Sequence, residues 1–431
     1  MQKKQKQECT LVWFRNDLRL QDNELLEEAI KTQKYLVAFY AFDPIFFKKQ
    51  HSFVRTEKFR INFLIETLRE LRDALSVYNI PLFVATKPTE EMVAQLQHQF
   101  SIVNIVYQED ATFDEATIEK RVLKTLPKEV HTIKVTNQYL YTPQQIDELF
   151  TKGIPKSFSS FRKKVEKKLE VLPITTYRIP IQEKLYDSVF ETPNFSEYTQ
   201  PKNTAFPFKG GEREALKRVQ SYFFDTTKVA TYKYTRNELL GVDYSTKFSP
   251  WLANGSLSAR TIYWELKKFE KQVKANVSTY WVYFELLWRD FFKHTARFQG
   301  TKIFMPSGIQ EKRITTHQNN EIIECWTHGK TASDFVNANM IELRETGWMS
   351  NRGRQNVASY FVHDLQQDWR VGAAYFESLL LDYDPHSNYG NWMYIAGVGN
   401  DTRNKKFDVN WQANTYDAKS VFTNQWNKVN E

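Results

Sequence analysis

The first 135 residues alternate five times between short apolar strands and helices, and this alternation restricts the fold more than any other feature. Strands are predicted at 10–14, 34–42, 80–85, 101–107 and 130–135. Repeats of this kind pair their strands in parallel, with helices on both faces of a doubly wound sheet. A GxGxxG motif does not follow the first strand, so the usual dinucleotide fingerprint is missing here. Any nucleotide cofactor is therefore expected elsewhere in the chain.

Two further segments follow the α/β domain, which is predicted to span 1–135. Prolines and glycines interrupt the pattern at 136–211, which indicates an interdomain linker with one short basic helix near 162–172. From 212 to 431 the pattern is almost entirely helical. The fold class is thus an N-terminal α/β domain joined to an all-α C-terminal domain.

Charge and cysteine content narrow the class of protein. The chain has 59 Lys and Arg against 51 Asp and Glu, a net charge of +8. This surplus favours a polyanionic partner such as nucleic acid, although an excess of surface lysine would give the same number. We find no secretory signal and no apolar run of membrane-spanning length. From this we expect no membrane contact. Cys9 and Cys325 form no CxxC motif, so we expect a reducing cytoplasm and no metal site.

The stretch from 347 to 400 mixes polar and aromatic residues in a way that an ordinary core does not. Its polar members include Asn351, Arg352, Arg354, Asp382, Asp384, Asn388 and Asn391. Its tryptophans are Trp348, Trp369 and Trp392. Since each buried polar group needs a partner, a large aromatic ligand with polar edges would explain the mixture.

Three sequence strings resemble one family. Two strings closely resemble the flavin-binding core of the photolyase/cryptochrome family: GWMSNRGRQNVAS at 347–359 and LLLDYDPHSNYGNW at 379–392. Their residues are similar to those of the DASH-type branch of this family. LVWFRNDLRLQDN at 11–23 resembles the family's N-terminal signature. The resemblance implies that the helical domain binds FAD.

The string STKFSPWLANGSLS at 245–258 combines hydroxyls with a helix start. Ser249 and Pro250 are predicted as N-cap and first residue of a helix, which suits either a phosphate site or an ordinary capped helix. The resemblance implies that this string holds the flavin phosphates, that Arg354 and Asp382 form a salt bridge, and that Asn388 faces flavin N5. Without the family resemblance, Asn388 would be interpreted as a turn residue. The implied FAD-binding residues are Tyr232, Ser245, Thr246, Lys247, Phe248, Ser249, Arg289, Arg354, Asp382, Asp384 and Asn388.

A second set of residues is implied to contact DNA. Glu285, Trp288, Arg289 and Phe292 have the spacing of one helix face, for which a buried Glu–Arg pair under a tryptophan is the alternative explanation. One flavin-contact tryptophan of the family is Val282 here. The implied lesion-contacting residues are Arg236, Glu285, Trp288, Asn351, Arg352, Gln355 and Tyr394.

Two of these positions bear on the kind of damage that is repaired. Photolyases for (6-4) products have histidine where this chain has Asn351 and Gln355, and neither amide can supply a proton. This argues against (6-4) repair. Tyr394 stands where many duplex photolyases have tryptophan. Gln355 also fits the DASH branch better than ordinary duplex photolyases.

The resemblance also implies an electron relay and an antenna. Trp392 and Trp369 match two relay tryptophans, although spacing alone also fits core residues; the position of the outer relay tryptophan is Thr316. Glu109 stands at a strand end where related proteins hold 5,10-methenyltetrahydrofolate by its pterin. Its alternative role is that of a solvated acid.

The function implied is that of a deoxyribodipyrimidine photo-lyase. Light-excited reduced FAD would inject an electron into a cyclobutane pyrimidine dimer flipped out of single-stranded DNA. The alternatives are a blue-light photoreceptor with little repair and a duplex photolyase. We expect a monomer.

Overall fold

The structure, a computed structural model, describes residues 6–195, 198–401 and 405–428. Six of its strands form one parallel sheet in the order β7-β6-β1-β2-β5-β8, and β3 and β4 form a small antiparallel hairpin. The strands are β1 Glu8–Trp13, β2 Tyr35–Ala41, β3 Lys49–Gln50, β4 Phe53–Val54, β5 Leu82–Ala85, β6 Ser101–Gln108, β7 His131–Val135 and β8 Val189–Phe190. The predicted sheet and fold class are confirmed.

Helices cover both faces of this sheet. They are α1 Glu24–Lys31, α2 Lys58–Ser76, α3 Thr89–Gln99 and α4 Phe113–Thr125. Successive residues of β1 point to opposite faces, so that Val12 belongs to one apolar core while Leu11 and Trp13 belong to another. The Asn23 side chain accepts the Leu25 N–H and caps α1. Asn23 is therefore the N-cap of α1.

The segment predicted as a linker contains more structure than its prolines suggested. It holds α5 Pro143–Leu149, α6 Phe158–Lys168 and strand β8. The predicted basic helix corresponds to α6. Strand β8 pairs in parallel with β5, with Val189 opposite Phe83. Two residues are too few to show a strand period, and for that reason the sequence did not predict β8.

The second half of the described chain is helical and packs around the 23-residue helix α11. Its helices are α7 Glu212–Gln220, α8 Tyr232–Thr235, α9 Ser249–Asn254, α10 Ala259–Gln272, α11 Val277–Gln299, α12 Asn320–Thr327, α13 Asp334–Thr346, α14 Asn351–Ser359, α15 Trp369–Leu379, α16 Pro385–Ala396, α17 Val409–Tyr416 and α18 Val421–Asn427. Short π-helical turns lie at Ser221–Asp225 and Tyr360–Asp364, and short 3₁₀ turns at Pro44–Phe47, Lys228–Thr231, Gly300–Phe304 and Gly308–Gln310. No helix in the described ranges is long and apolar enough to cross a membrane.

The N-terminal signature joins the two halves. The buried Arg19 guanidinium donates to the Gly255 carbonyl at 2.9 Å and to the Asn137 carbonyl at 3.1 Å. Asp22 forms a buried salt bridge with Arg260 at 2.7 Å. Gly255 has a φ of +73°, and a Cβ there would lie 1.9 Å from a backbone oxygen of the same signature. The signature therefore sets how closely the helical half approaches the sheet.

Candidate functional site

Two adjoining cavities lie in the helical half. The first, which we call the tryptophan cavity, has an open volume of about 1380 Å³ and includes Trp288 and Trp392 in its wall. The second, the hydroxyl cavity, has about 1160 Å³ and includes Ser245, Thr246 and Ser249. The residues common to both walls are Arg236, Glu285, Arg289, Asn351, Arg354, Asp382, Asp384 and Ser387. A ligand that fills one cavity therefore touches the wall of the other.

Most of the predicted site residues lie on these walls. The hydroxyl cavity is lined by Tyr232, Ser245, Thr246, Lys247, Phe248, Ser249, Arg289, Arg354, Asp382 and Asp384. The tryptophan cavity is lined by Arg236, Glu285, Trp288, Asn351, Gln355, Asn388, Trp392 and Tyr394. Three predicted residues, Arg352, Trp369 and Glu109, line neither cavity.

The start of α9 differs from the predicted cap. Helix α9 begins at Ser249, its N-cap position is Phe248, and no side chain caps it. The Ser249 hydroxyl instead donates to Asp382 Oδ2 at 2.6 Å, across the cavity wall. The predicted N-cap role of Ser249 is therefore wrong, because the hydroxyl has a charged acceptor from another element.

Lys247 brings a buried amine to the hydroxyl cavity. Its Nζ lies 3.3 Å from the Tyr244 ring centroid and has no hydrogen-bond partner among the described residues. Burial holds the pKa of Lys247 well below its usual range, and burial also raises the pKa of nearby Glu342 to about 8. An anionic ligand in this cavity would give the Lys247 amine the partner it lacks.

Asp382 and Asp384 lie in the short connection between α15 and α16. Asp382 forms the predicted salt bridge with Arg354 at 3.0 Å, and its Oδ1 has no partner within the described chain. Asp384 does not pair with Arg354. It caps α16 and forms a salt bridge with Lys293 at 3.2 Å.

Two neighbours that the sequence did not predict set the charge of Asp384. Lys293 comes from α11, and His386 Nδ1 lies 3.3 Å from Asp384 Oδ1. Burial alone would raise the pKa of Asp384, but Lys293 and His386 together hold it well below its usual range. The carboxylate thus stays ionised at the edge of both cavities.

Asn388 belongs to a helix, not to a turn. Pro385 opens α16, and the Asn388 amide donates to the Ala373 carbonyl at 3.0 Å. This bond fixes the orientation of the amide at the wall of the tryptophan cavity. The turn interpretation of HSNYGN is therefore wrong.

Helix α11 presents its predicted face to the tryptophan cavity. Glu285 pairs with Arg236 and not with Arg289, which donates to the Gln138 carbonyl at 2.7 Å. Burial raises the pKa of Glu285, and Arg236 opposes this shift. The alternative of a Glu285–Arg289 ion pair is therefore not what the structure contains.

Trp288 and its neighbours make one wall of this cavity aromatic. The Trp288 ring stacks on Phe158 from α6 with ring centroids 3.7 Å apart. The Tyr394 ring lies edge-on to Trp288, with ring centroids 6.2 Å apart. The wall is therefore rigid and apolar, with amides from Asn351 and Gln355 beside it.

Arg352 points to the other side of α14. Its guanidinium donates to Asn237 Oδ1 at 3.2 Å and lies 4.8 Å from the centre of the Tyr416 ring. The structure therefore separates Arg352 from Asn351 and Gln355.

The two predicted relay tryptophans are buried near α15. The Trp392 ring lies against Gly372, where an added Cβ would be only 2.3 Å from Trp392 Cη2, so the indole occupies space that only glycine leaves free. Trp369 is one turn earlier on α15 and donates its indole N–H to the Pro306 carbonyl at 3.2 Å. Thr316 lies with Trp369 on the wall of a separate cavity.

Another buried tryptophan was not predicted to belong to the relay. The ring of Trp326 lies 6.3 Å from that of Trp392, centroid to centroid. Its position in the sequence gave no sign of this contact, because α12 and α16 meet only in the folded chain.

Glu109 lies apart from both cavities at an exposed strand end. Its carboxylate is 3.4 Å from Lys134 Nζ, and its side chain is 51% exposed.

A third cavity, which we call the interdomain cavity, lies between the two halves and was not predicted. Its wall includes Trp13, Tyr40, Phe46, Tyr383 and His386. In the described residues no cluster of His, Cys, Asp and Glu could hold a metal ion.

Known proteins share this fold and these strings. Residues 10–180 match the family described as DNA photolyase, and residues 281–429 match the FAD binding domain of DNA photolyase. Cryptochrome DASH from Danio rerio is 41% identical over 426 residues, which cover 96% of this chain and 82% of that protein. Cryptochrome DASH, chloroplastic/mitochondrial, from Solanum lycopersicum is 38% identical over 440 residues, covering 96% of this chain and 76% of that protein. The crystal structure of a Synechocystis sp. PCC6803 cryptochrome superimposes with a TM-score of 0.91 at 38% identity, covering 98% of this chain and 89% of that one.

The chain belongs to the photolyase and cryptochrome family. Relatives named Cryptochrome DASH, at 37–42% identity over nearly the whole chain, confirm the predicted branch. The C-terminal half is an FAD-binding domain, and FAD is the cofactor. The walls of the two cavities fit this cofactor, because the Lys247 amine and Asp382 Oδ1, which have no hydrogen-bond partner among the described residues, supply a donor and an acceptor where the ligand must be polar.

Proposed function

We propose that this protein splits cyclobutane pyrimidine dimers in single-stranded DNA under blue light. The observation that carries the proposal is the shared wall of the two cavities. FAD held in the hydroxyl cavity would present its ring to a dimer in the tryptophan cavity. Reduced FAD, once excited by light, supplies the electron for this reaction.

We infer the role of each FAD contact from its place on the wall. The hydroxyls of Ser245 and Thr246, together with the Lys247 amine, bind the phosphates. Ser249 lies beside them with its hydroxyl on Asp382, and the Arg354–Asp382 pair orients polar edges of the ligand. Asn388, held by the Ala373 carbonyl, faces the flavin ring. The family resemblance and the unpartnered polar atoms support these roles.

The chain's own residues position the dimer. Trp288 offers an aromatic surface to the paired pyrimidines, and Asn351 and Gln355 offer amides to their hydrogen-bonding edges. Glu285 accepts a hydrogen bond from a pyrimidine N–H once Arg236 is drawn towards a phosphate. Because neither amide donates a proton readily, these groups bind and orient the dimer without acid catalysis.

Preference for single strands follows from the entry step. A dimer must leave its stack to reach the tryptophan cavity, and unstacking from a duplex costs a few kcal/mol. A single strand has lost part of that stabilisation already. The relatives' name, cryptochrome, favours a second candidate: a blue-light photoreceptor that binds FAD and splits few dimers.

One assay separates these candidates. Chemically reduced protein is illuminated with matched single- and double-stranded oligonucleotides that carry one thymine dimer, with dark samples as controls. We expect splitting on single strands, and much less on duplexes. Equal splitting of both substrates would indicate a duplex photolyase. No splitting of either substrate, with FAD bound and reduced, would indicate the photoreceptor.

We propose that Trp392 is the first electron donor when oxidised FAD is reduced by light, and that Trp369 follows. Trp392→Phe should slow photoreduction strongly and leave the FAD content unchanged. Repair by chemically reduced protein should survive the substitution, because the relay only prepares the cofactor. Unchanged photoreduction in Trp392→Phe would mean that the relay begins elsewhere, with Trp326 the nearest further indole to test.

A folate antenna at Glu109 remains a proposal, as do a monomeric state and a cytoplasmic location. Protein made under folate-replete conditions should show a near-ultraviolet band that Glu109→Ala removes. A second pigment that survives Glu109→Ala would point to the interdomain cavity instead. Fractionation tests the location, since one plant relative carries an organelle in its name.

A further inference from the structure

We propose that Trp411, on α17, stacks on a base that flanks the dimer and so helps to select single-stranded DNA. The inference rests on the proposed DNA substrate and adds a residue outside both cavities. More than half of the Trp411 side chain, 57%, is exposed. No other ring or cation packs on its face within the described chain.

Helix α17 lies directly beside the tryptophan cavity. Phe407, which precedes it, lines that cavity, and its backbone N–H donates to the Ser359 hydroxyl at 2.8 Å. Further along, Asn356 donates to Gln412 Oε1 at 3.3 Å. Arg352 stacks on Tyr416 at the far end. Helices α17 and α14 therefore run side by side in opposite directions.

Helix α14 divides its side chains between these two neighbours. Asn351 and Gln355, four residues apart, face the cavity, whereas Arg352 and Asn356 face α17. Each residue turns about 100° from the one before it, so the cavity and α17 occupy adjacent sides of α14. Helix α17 and the tryptophan cavity are therefore neighbours around α14.

The direction of Trp411 follows from the same geometry. Gln412 faces α14, and Ala413 packs on a small core that contains Phe335 and Trp426. Trp411 lies about 200° from Ala413 around the helix, on the side away from that core. The antiparallel pairing with α14 turns this side towards the mouth of the tryptophan cavity. The indole is therefore available to a strand whose dimer occupies the cavity.

Cations beside this surface suit a phosphate backbone. Lys405 Nζ lies 4.6 Å from the ring centre of Tyr394, which lines the tryptophan cavity, and Arg352 lies against Tyr416. Exposed aromatics interleaved with cations form the usual surface for single strands, because every base has a face that can stack. In a duplex the flanking bases are already stacked on their neighbours, so Trp411 would favour the single strand.

A matched pair of surface tryptophans gives the test. Trp264, on α10, is 39% exposed, but its indole N–H donates to the Leu172 carbonyl at 2.9 Å and its ring packs on Tyr263. We would measure affinity in the dark, by anisotropy, for a single-stranded oligonucleotide carrying one dimer. Trp411→Ala should bind about tenfold more weakly, Trp411→Phe less than about threefold, and Trp264→Ala like the parent.

Substrate length and salt identify the cause of any loss. For an isolated dinucleotide dimer, which has no flanking base, the loss in Trp411→Ala should fall below about twofold. Trp411→Ala should keep the salt dependence of the parent, whereas Arg352→Ala should lower the slope by about one. FAD content and thermal unfolding show that each variant is folded.

Two results would overturn the inference. One is an unchanged single-strand affinity in Trp411→Ala, and the other is an equal loss for the oligonucleotide and the isolated dimer. Either result leaves the proposed function standing if the parent protein splits dimers in light. A parent that binds the damaged strand through Trp411 but splits nothing would refute the proposed repair and keep the stacking role.

Discussion

Buried polar residues occur in both halves of the molecule, but their hydrogen bonding differs. In the N-terminal signature, the Arg19 guanidinium donates to carbonyls of both halves, and Asp22 pairs with Arg260. At the cavities, Lys247 Nζ and Asp382 Oδ1 are buried without a hydrogen-bond partner in the described ranges. Arg19 and Asp22 are thus satisfied by the protein itself, although Asp17 Oδ2 of the same signature also lacks a partner among the described residues, whereas Lys247 and Asp382 line a cavity that a ligand can fill.

This difference separates motifs that look alike in the sequence. RNDLRLQDN and STKFSP are both short, polar and close to a helix start. Only the structure shows that the first contributes to stability, whereas the second leaves polar atoms facing a cavity. Buried polar atoms are normally paired, so an unpaired group identifies a ligand site better than charge or exposure does.

The largest expected effect comes from disrupting the buried Asp22–Arg260 salt bridge of the N-terminal signature. Asp22→Asn keeps the shape and the positive φ of 50°, but it removes the charge that faces buried Arg260. Removing one partner of a buried pair costs roughly 3–5 kcal/mol, and Glu24, 3.3 Å from Arg260, should limit the loss to about 3 kcal/mol. Denaturant unfolding of the FAD-loaded protein measures this loss.

A matched exposed pair serves as the control. Glu28 lies 2.7 Å from Lys31 on the surface of α1, and Glu28→Gln should change the free energy of unfolding by less than about 1 kcal/mol. FAD content per folded molecule should stay constant in both variants. A selective loss of FAD in Asp22→Asn would contradict the division between the two groups.

Much of the fold could be predicted from the sequence, because apolar periodicity fixes the elements. The five predicted strands correspond to β1, β2, β5, β6 and β7 and lie within a few residues of their predicted bounds, whereas the two-residue hairpin strands β3 and β4 were not predicted. Strand β8 was missed, since two residues carry no period.

The candidate site was less accessible to prediction, because its residues meet only in the folded chain. The strings that resemble the family predicted most of the site residues found on the walls of the two cavities. They did not supply the partners of Asp384, which are Lys293 from α11 and His386. They also placed Arg352 with Asn351, although consecutive residues on a helix point about 100° apart. Trp326 and the interdomain cavity depend on tertiary packing alone.

The second effect concerns Glu342, a buried acid near the hydroxyl cavity whose Oε2 has no hydrogen-bond partner among the described residues. Burial raises the pKa of Glu342 to about 8, above its usual 4.5. The folded state therefore holds a proton that the unfolded chain releases, and stability present below pH 4.5 is lost as the pH rises towards 8. Glu342→Gln removes this loss. The variant should nearly equal the parent at pH 4.5 and exceed it by roughly 3 kcal/mol at pH 6.5, since each pH unit in this range contributes about 1.4 kcal/mol.

Denaturant unfolding of both proteins at several pH values between 4.5 and 8 tests this expectation. Glu28→Gln, at the surface pair with Lys31, again serves as the control. A constant difference between Glu342→Gln and the parent across this range would mean that Glu342 is ionised in the folded protein, and the contrast with Asp22 would then fail.

The smallest expected effect concerns Asp382, one of the polar residues that line the cavities. Asp382→Asn keeps an acceptor for the Ser249 hydroxyl but removes the charge opposite Arg354. The Arg354 side chain is 25% exposed, so solvent limits the loss of stability, whereas FAD loses a charged contact. Charge-assisted hydrogen bonds contribute more than neutral ones, so we expect FAD to bind about tenfold more weakly. Titration of flavin-stripped protein with FAD measures this change, with Glu28→Gln as the control. If Asp382→Asn destabilised the fold as much as Asp22→Asn and left FAD affinity unchanged, Asp382 would belong with the self-satisfied residues of the N-terminal signature.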